Sequence, residues 1–252
     1  MITEKRHELI LNELSKKDFL SLQELIDNIG CSASTIRRDL SKLQQLGKLT
    51  RLHGGATLNQ SVVIEPNLID KRSQNLQEKK DIGRIASELI EDNDCVFLDA
   101  GSSTLEMIPF ITSNNITVVT NGLTHVEELI KNGIKTITIG GQVKSNTFAT
   151  VGPSAIETLG RYRFDKAFIG INGIDINYGL TTPDDQEAFV KKYALKQALN
   201  KFVVADSSKF NKVFFTNVPI DQDVSIITSE QIKEIENYDL FSRHYDILGG
   251  KR

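Results

Sequence analysis

Several segments of this chain place glycines, hydroxyls and amides where an anion could be held. The first is Asp99-Ala100-Gly101-Ser102-Ser103-Thr104, directly behind the apolar run Val96-Phe97-Leu98. Gly101 lets backbone approach a ligand closely, and the hydroxyls and N–H groups opening a helix can surround a phosphate. Serine and threonine also cap helices routinely, so this run is ambiguous by itself. Other apolar runs end in a similar way, in Thr120-Asn121-Gly122, Gly140-Gly141, Asn172-Gly173 and Asp206-Ser207-Ser208-Lys209. Lys209 stands where a cation could meet phosphate charge. Glu187 and Lys191, at i, i+4 spacing after GLTTPDD, could pair with each other or hold sugar hydroxyls. The combined expectation is a small, polyhydroxylated, anionic ligand, and a sugar phosphate fits best.

A second chemistry sits near the start of the chain. Residues 33–58 carry Arg37, Arg38, Lys42, Lys48 and Arg51 against Asp39 alone, a local excess of four positive charges that favours a polyanion. Ile36, Leu40, Leu43 and Leu46 recur at helical spacing, so Ser34, Arg38, Ser41 and Gln45 point the other way, flanked by Thr35, Arg37 and Lys42. Arginine presents a bidentate fork to guanine in the major groove, and serine or threonine reaches phosphates or base edges. Arg51 and His53 lie beside the tight turn Gly54-Gly55, where they could touch backbone or minor groove; a turn histidine with no contact is the alternative for His53.

The elements that must position these residues follow from periodicity. Leu9, Ile10 and Leu14 mark a first helix. Ser21 can cap a second, in which Leu22, Leu25, Ile26 and Ile29 follow i, i+3, i+4, i+7, and Gly30 breaks it. A third helix ends at Gly47, and two short β segments, 48–52 and 56–58, follow around Gly54-Gly55. That is a winged helix-turn-helix pattern over residues 1–58. Residues 59–75 are mixed polar without a sustained period and read as a connector. From residue 76 helices (76–91, about 103–113, 123–132, 153–160, 184–200 and 229–237) alternate with strands (94–100, 116–120, 135–141, 164–171, 201–206, 224–228 and 245–249). Continuous β-branched strands separated by helices predict a parallel sheet covered on both faces, with ligands at the carboxyl ends of its strands. The fold class is thus α/β, a winged helix-turn-helix followed by a Rossmann-like effector domain over 76–252.

The whole chain has 252 residues, 39% apolar and 25% charged, which excludes collagen-like and wholly disordered classes. The net charge of −3 divides into +2 over residues 1–58 and −5 over the remainder. No uninterrupted apolar run is long enough for a membrane span, and the first residues lack the pattern of a secretory signal. Cys31 and Cys95 are at no metal-ligand spacing, and no cofactor signature accompanies them. A cytoplasmic protein without metal or cofactor is expected.

CSASTIRRDLSKLQQLGKL with RLHGGA resembles the DNA-binding signature of the DeoR family of bacterial transcriptional regulators. FLDAGSST, VVTNG, IGGQV, FDKAFIGINGID, GLTTPDDQEAFVK and DSSKF resemble successive blocks of that family's effector domain. The resemblance implies a winged helix joined to a domain similar to sugar-phosphate isomerases, repression of a sugar operon, and a phosphorylated effector. Carried over by motif, Ser102, Ser103, Thr104 and Lys209 are the expected phosphate contacts, with Gly101 and Gly140 in the surrounding loops. Asp99, Asn121, Asn172, Glu187 and Lys191 are candidates for the sugar. Within the family, MITEKRHELIL and TNGLTHVEELIKNGIKTITIGGQVK are similar to fructose-operon repressors of Gram-positive bacteria, which implies fructose 1-phosphate as effector. Reading a symmetric operator also calls for a homo-oligomer, dimer or tetramer. The competing class is a sugar-phosphate isomerase or deaminase with an appended DNA-binding domain. Asp99, Glu187 and Asp206 could supply its base, although no histidine lies in these loops.

Overall fold

The computed structural model describes residues 2–17, 19–46, 48–52, 54–58, 67–220 and 223–249. The chain divides into two compact units, residues 1–61 and 62–252.

The first unit holds α1 (Thr3–Ser15), β1 (Leu20–Ser21), α2 (Leu22–Ile29), α3 (Ala33–Gln45), β2 (Leu49–Leu52) and β3 (Gly55–Leu58). Ser21 caps α2 in a reciprocal box with Glu24, its Oγ accepting the Glu24 N–H and the Glu24 carboxylate accepting the Ser21 N–H. Gly30 ends α2 at φ +70°, a left-handed position that glycine adopts without a Cβ penalty. Ile10, Leu14, Leu25, Ile36, Leu40, Leu43 and Leu49 bury one face of each element into a single core. The three strands pair antiparallel in the order β1-β3-β2. Sequence patterning missed β1, a two-residue strand too short to carry a period. Gly55 is required by close approach, since a Cβ there would stand 2.2 Å from the Leu20 carbonyl oxygen. His53 and Gly47 lie outside the described residues.

The second unit opens with α4 (Leu68–Ser73) and α5 (Leu76–Ser87), then β4 (Cys95–Leu98), α6 (Ser102–Leu105), β5 (Thr117–Thr120), α7 (Leu123–Lys131), β6 (Lys135–Thr138), β7 (Gln142–Val143) and β8 (Thr150–Val151). It continues through α8 (Pro153–Leu159), β9 (Phe164–Gly170), β10 (Gly173–Asp175), β11 (Gly179–Thr182), α9 (Asp185–Lys196) and β12 (Ala198–Val204). β13 (Thr216–Asn217), β14 (Val224–Ile227), α10 (Tyr238–His244) and β15 (Asp246–Leu248) complete it. Seven strands form one sheet in the order β15-β14-β12-β9-β4-β5-β6, and every pairing in it is parallel. Alternation sends Phe97 to a core under α8 and α9, and Val96 and Leu98 to a core under α5 and α7. Both faces are buried, which is why these strands are apolar throughout rather than alternating.

Strand order reverses at β4. From β4 the chain steps outward to β5 and β6, then returns on the other side of β4 with β9. The loops after β4 and β9 therefore diverge and open a crevice, the place where such sheets bind ligands.

Several expected elements differ. The helix expected over 103–113 stops at Leu105 and resumes as a 3₁₀ turn, Ile108–Phe110, because Pro109 has no N–H to continue it. The helix expected over 229–237 is a 3₁₀ turn, Glu230–Glu234, separated from α10 by Asn237 at φ +65°. The strand read as 201–206 begins at Ala198, where parallel pairing to Phe164 recruits residues of low apparent β preference. Most consequential, the stretch 59–75 read as connector holds α4, whose Leu68 is buried and donates its N–H to the Asn146 carbonyl at 2.9 Å. Residues 59–66 lie outside the described residues.

α5 packs closely against α6, and Gly83 permits it, because a Cβ there would meet the Glu106 carbonyl oxygen at 2.4 Å. Gly83→Ala is expected to destabilise the second unit by about 1–3 kcal/mol through this backbone clash, read as a lowered midpoint in thermal unfolding.

Candidate functional site

The first site is the outer face of α3 with the strand pair behind it. Ile36, Leu40 and Leu43 turn inward, leaving Ser34, Arg37, Arg38 and Lys42 exposed, with Thr35 and Ser41 half-buried. Ser32 caps α3, its Oγ accepting the Thr35 N–H at 3.3 Å and lying 3.0 Å from Ser34 Oγ. Arg51 from β2 donates to Ser41 Oγ at 2.8 Å, so one guanidinium joins the wing to the outer face of the helix. Asp39, the acid within this basic segment, is buried beneath the face. Arg6 of α1 donates to both its oxygens, at 2.5 and 3.1 Å, and His7 Nε2 lies 3.2 Å away. Burial would raise the Asp39 carboxyl, but the Arg6 hydrogen bond and charge, with His7, hold it below its ordinary range. The one carboxylate that could offset the arginines is thus neutralised internally.

The second site is the crevice between the β4 and β9 loops. It is lined by Ala100–Ser103, Gly170–Asn172, Thr147, Glu187 and Lys191, with Leu68, Lys71 and Lys209. Lys191 reaches from α9 to donate to Asp99 Oδ2 at 2.5 Å, and the Gly170 N–H donates to the same oxygen at 3.0 Å. Asp99 and Lys191 are 1% and 3% exposed. Burial lifts the Asp99 carboxyl above the usual range and the Glu187 charge adds to that, while Lys191 and the Gly170 N–H pull against it. Glu187 accepts from Lys144 at 3.1 Å and from Thr147 Oγ1 at 2.8 Å. Burial opposes its ionisation, but the Lys191 and Lys144 charges and these hydrogen bonds outweigh it and keep its carboxyl lowered. Asn172 Oδ1 accepts from Thr182 Oγ1 at 3.0 Å.

Of the expected ligand contacts, Gly101, Ser102, Ser103, Asn172, Glu187, Lys191 and Lys209 come together around this crevice. Four do not line it. Thr104 is fully buried, donating to the Asp99 carbonyl at 2.6 Å with its Oγ1 3.0 Å from His125 Nε2. Asn121 is also buried, its Oδ1 accepting the Ala100 N–H at 2.8 Å, so it ties the β5 end to the first loop. Asp99 lies beneath the lining and acts through Lys191. Gly140 is exposed at the end of β6, away from the crevice. Polar groups brought near a strand end satisfy one another first, which local sequence does not foretell.

Sequence reasoning missed Lys71, which sat in the presumed connector, and Thr147 and Lys144, which lie between the two-residue strands β7 and β8. No periodicity marks any of them. It also missed His125, wholly buried under the first loop and pushed down to about 3 by burial and then by the Arg72 charge. At neutral pH this ring is uncharged, and its contact with Thr104 shapes the loop.

Comparison with known proteins gives a consistent picture. Residues 6–62 match the DeoR-like helix-turn-helix domain, and residues 74–230 match the DeoR C terminal sensor domain. The chain is 43% identical over 231 residues to an uncharacterised HTH-type transcriptional regulator, FruR, of Bacillus subtilis (strain 168), covering 91% of this chain and 92% of that protein. It is 36% identical to a lactose phosphotransferase system repressor of Lactococcus lactis subsp. lactis, covering 98% of this chain and 99% of that one. Among solved structures, a ribose 5-phosphate isomerase from Methanocaldococcus jannaschii overlaps 54% of this chain and 55% of its own at 16% identity and a TM-score of 0.41, too slight an overlap to argue from. Among the described residues no helix is long and apolar enough to cross a membrane.

Two outcomes follow from the buried ion pairs. The folded chain holds Asp39 at a lowered pKa, so it binds fewer protons there than the unfolded chain, and stability present above the ordinary aspartate range near ~4 is lost as pH falls through it. Urea unfolding followed by NMR signals of residues 33–45 should show this loss below about pH 4, and Asp39→Asn should remove most of it. Asp99→Ala should leave Lys191 buried without its carboxylate and cost about 3–5 kcal/mol in the unfolding of the second unit.

Proposed function

The chain belongs to the DeoR family of transcriptional regulators, and on that premise we propose that it represses a sugar operon and leaves its operator when a phosphorylated sugar enters the crevice. The observation that carries this reading is the composition of the crevice. The lining includes Ser102, Ser103 and Lys209, a hydroxyl-and-ammonium set suited to phosphate oxygens. The rest offers Asn172, Glu187 and Lys191, donors and acceptors of both signs suited to hydroxyls. An apolar or purely cationic ligand would leave this lining unsatisfied.

On the DNA side, Arg37, Arg38, Ser34, Thr35, Ser41 and Lys42 on α3 enter the major groove, and Arg51, with His53 beside it, follows the backbone or minor groove. Two half-sites require at least a dimer. The likeness to regulators named for fructose and for a lactose phosphotransferase system favours a sugar taken up as its phosphate, and fructose 1-phosphate is the effector proposed. The protein acts in the cytoplasm, where such sugars and the operator are both present.

Its relatives are transcriptional regulators and not enzymes. The crevice carboxylates fit that role, since Asp99 is engaged by Lys191 and Glu187 by Lys144 and Thr147. A general base needs a lone pair directed at substrate carbon.

The test is fluorescence anisotropy with the promoter upstream of this chain's own operon, at fixed salt, titrated with fructose 1-phosphate, fructose 6-phosphate, fructose 1,6-bisphosphate and fructose. Selective release by fructose 1-phosphate is expected. Release by another phosphosugar would replace the effector, and tightened binding would reverse the sign. Arg38→Ala should cost about 1–3 kcal/mol of operator binding and relax specificity, whereas equal losses on operator and random DNA would reassign Arg38 to a phosphate. Replacing Ser102 and Ser103 together by alanine should raise the concentration of phosphosugar needed for release while leaving operator affinity without sugar unchanged.

A further inference from the structure

The two sides of α9 meet different surroundings. Glu187 and Lys191 lie on its inner side, where they line the crevice, with Ala188, Val190 and Ala194 buried beside them. At about 100° per residue the opposite side carries Asp185, Phe189, Lys192 and Lys196, spaced i, i+4, i+7, i+11, and all four are exposed. Among the described residues, none of the three charged members forms an ion pair within the chain. Phe189 is 62% exposed. Two further aromatic rings stand out from neighbouring elements: Tyr178, 64% exposed, in the turn between β10 and β11, and Phe215, 66% exposed, directly before β13. α9 packs against both β11 and β13, and Asn217 of β13 donates its side-chain amide to the Tyr178 carbonyl at 2.7 Å. The elements that carry the three rings are therefore contiguous. Aromatic rings left in water by a folded domain mark a surface that meets another protein.

The charge order of the stripe says what covers it. Acid at the amino end and base at the carboxyl end is a pattern that complements itself when reversed. Let a second α9 lie antiparallel to the first, across a two-fold axis between residues 190 and 191. Asp185 then faces the partner's Lys196, and Phe189 faces the partner's Lys192. The same two contacts recur on the other side of the axis, as an isologous interface requires. One is an ion pair; the other sets an ammonium over an aromatic face. Reversal also brings the amino end of α9, beside Phe215, toward the carboxyl end of the partner helix, beyond which Leu199 is 78% exposed. A parallel arrangement in register would set Asp185 on Asp185 and Lys196 on Lys196, which repel. An unrelated partner would impose no such symmetry on the stripe.

We propose that this outer side of α9, with Phe189 near the axis and Tyr178 and Phe215 flanking it, is the two-fold interface between copies of this chain. This rests on the reading above that the protein acts as at least a dimer, and it names the face that builds the dimer. Each crevice then lies one helix away from the partner subunit.

Sedimentation equilibrium of the full chain without DNA, at micromolar concentration, gives the subunit number of the unchanged protein. The same measurement is made on Phe189→Asp, Asp185→Lys, Lys196→Asp and the double exchange of Asp185→Lys with Lys196→Asp, and thermal unfolding of each checks that the fold is kept. Phe189→Asp is expected to halve the subunit number, raising the dissociation constant of that step about tenfold or more. Asp185→Lys and Lys196→Asp each weaken association, because two like-charged pairs then face one another, and the double exchange restores it. Mixing the two single variants gives mixed dimers in preference to either variant with itself, an outcome particular to this register. Unchanged association in Phe189→Asp, or charge variants that the double exchange does not rescue, would overturn the proposal and leave the dimer reading standing. An unchanged chain that sediments as a monomer would bring down both.

Discussion

The contact between Lys191 and Asp99 is the constraint on which the second unit turns. A carboxylate at the carboxyl end of a central strand, buried on every side, must be paired or it costs several kcal/mol. The pair spans three elements: β4 supplies Asp99, α9 supplies Lys191, and the end of β9 supplies the Gly170 N–H. These are the elements on either side of the point where strand order reverses. The ion pair forms the floor of the crevice, and the loop carrying Gly101, Ser102 and Ser103 begins on top of it. Glu187 extends the network one turn earlier on α9, through Lys144 and Thr147, to the segment between β7 and β8. The lining is polar because its foundation is ionic, and a ligand entering it meets groups already fixed in place.

The first unit uses the same device to a different end. Asp39 is drawn beneath α3 by Arg6 and His7, which ties α1 to the recognition helix in a unit with a small apolar core. The exposed face of α3 is left with arginine, lysine, hydroxyl and amide side chains and no carboxylate. An internal ion pair thus sets the angle of the helix and clears its surface of opposing charge, and both serve a polyanionic partner.

Some polar residues in the strand-end loops hold the site rather than form it. Thr104, Asn121 and His125 lock the loop after β4 onto its own backbone and onto the β5 end. In a loop pressed against a parallel sheet, backbone groups need partners, and the nearest hydroxyl or amide supplies them before any ligand can. Type and spacing are therefore identical for a residue that lines the crevice, such as Ser103, and one that is buried behind it, such as Thr104.

Periodicity, glycine placement and charge carried the winged helix-turn-helix, the run of parallel strands, the basic face of α3 and the strand-end loops that line the crevice. These are local properties: a helical face, a left-handed glycine or an apolar strand is written within ten residues of itself. The motif blocks carried the family for the same reason. Only the tertiary structure decided which loop residues face the crevice, that Lys191 answers Asp99 across 92 positions, and that α4 with Lys71 belongs to the sensor unit and not to a connector. Those outcomes depend on which distant groups share a desolvated volume, and that competition for partners leaves no period in the chain.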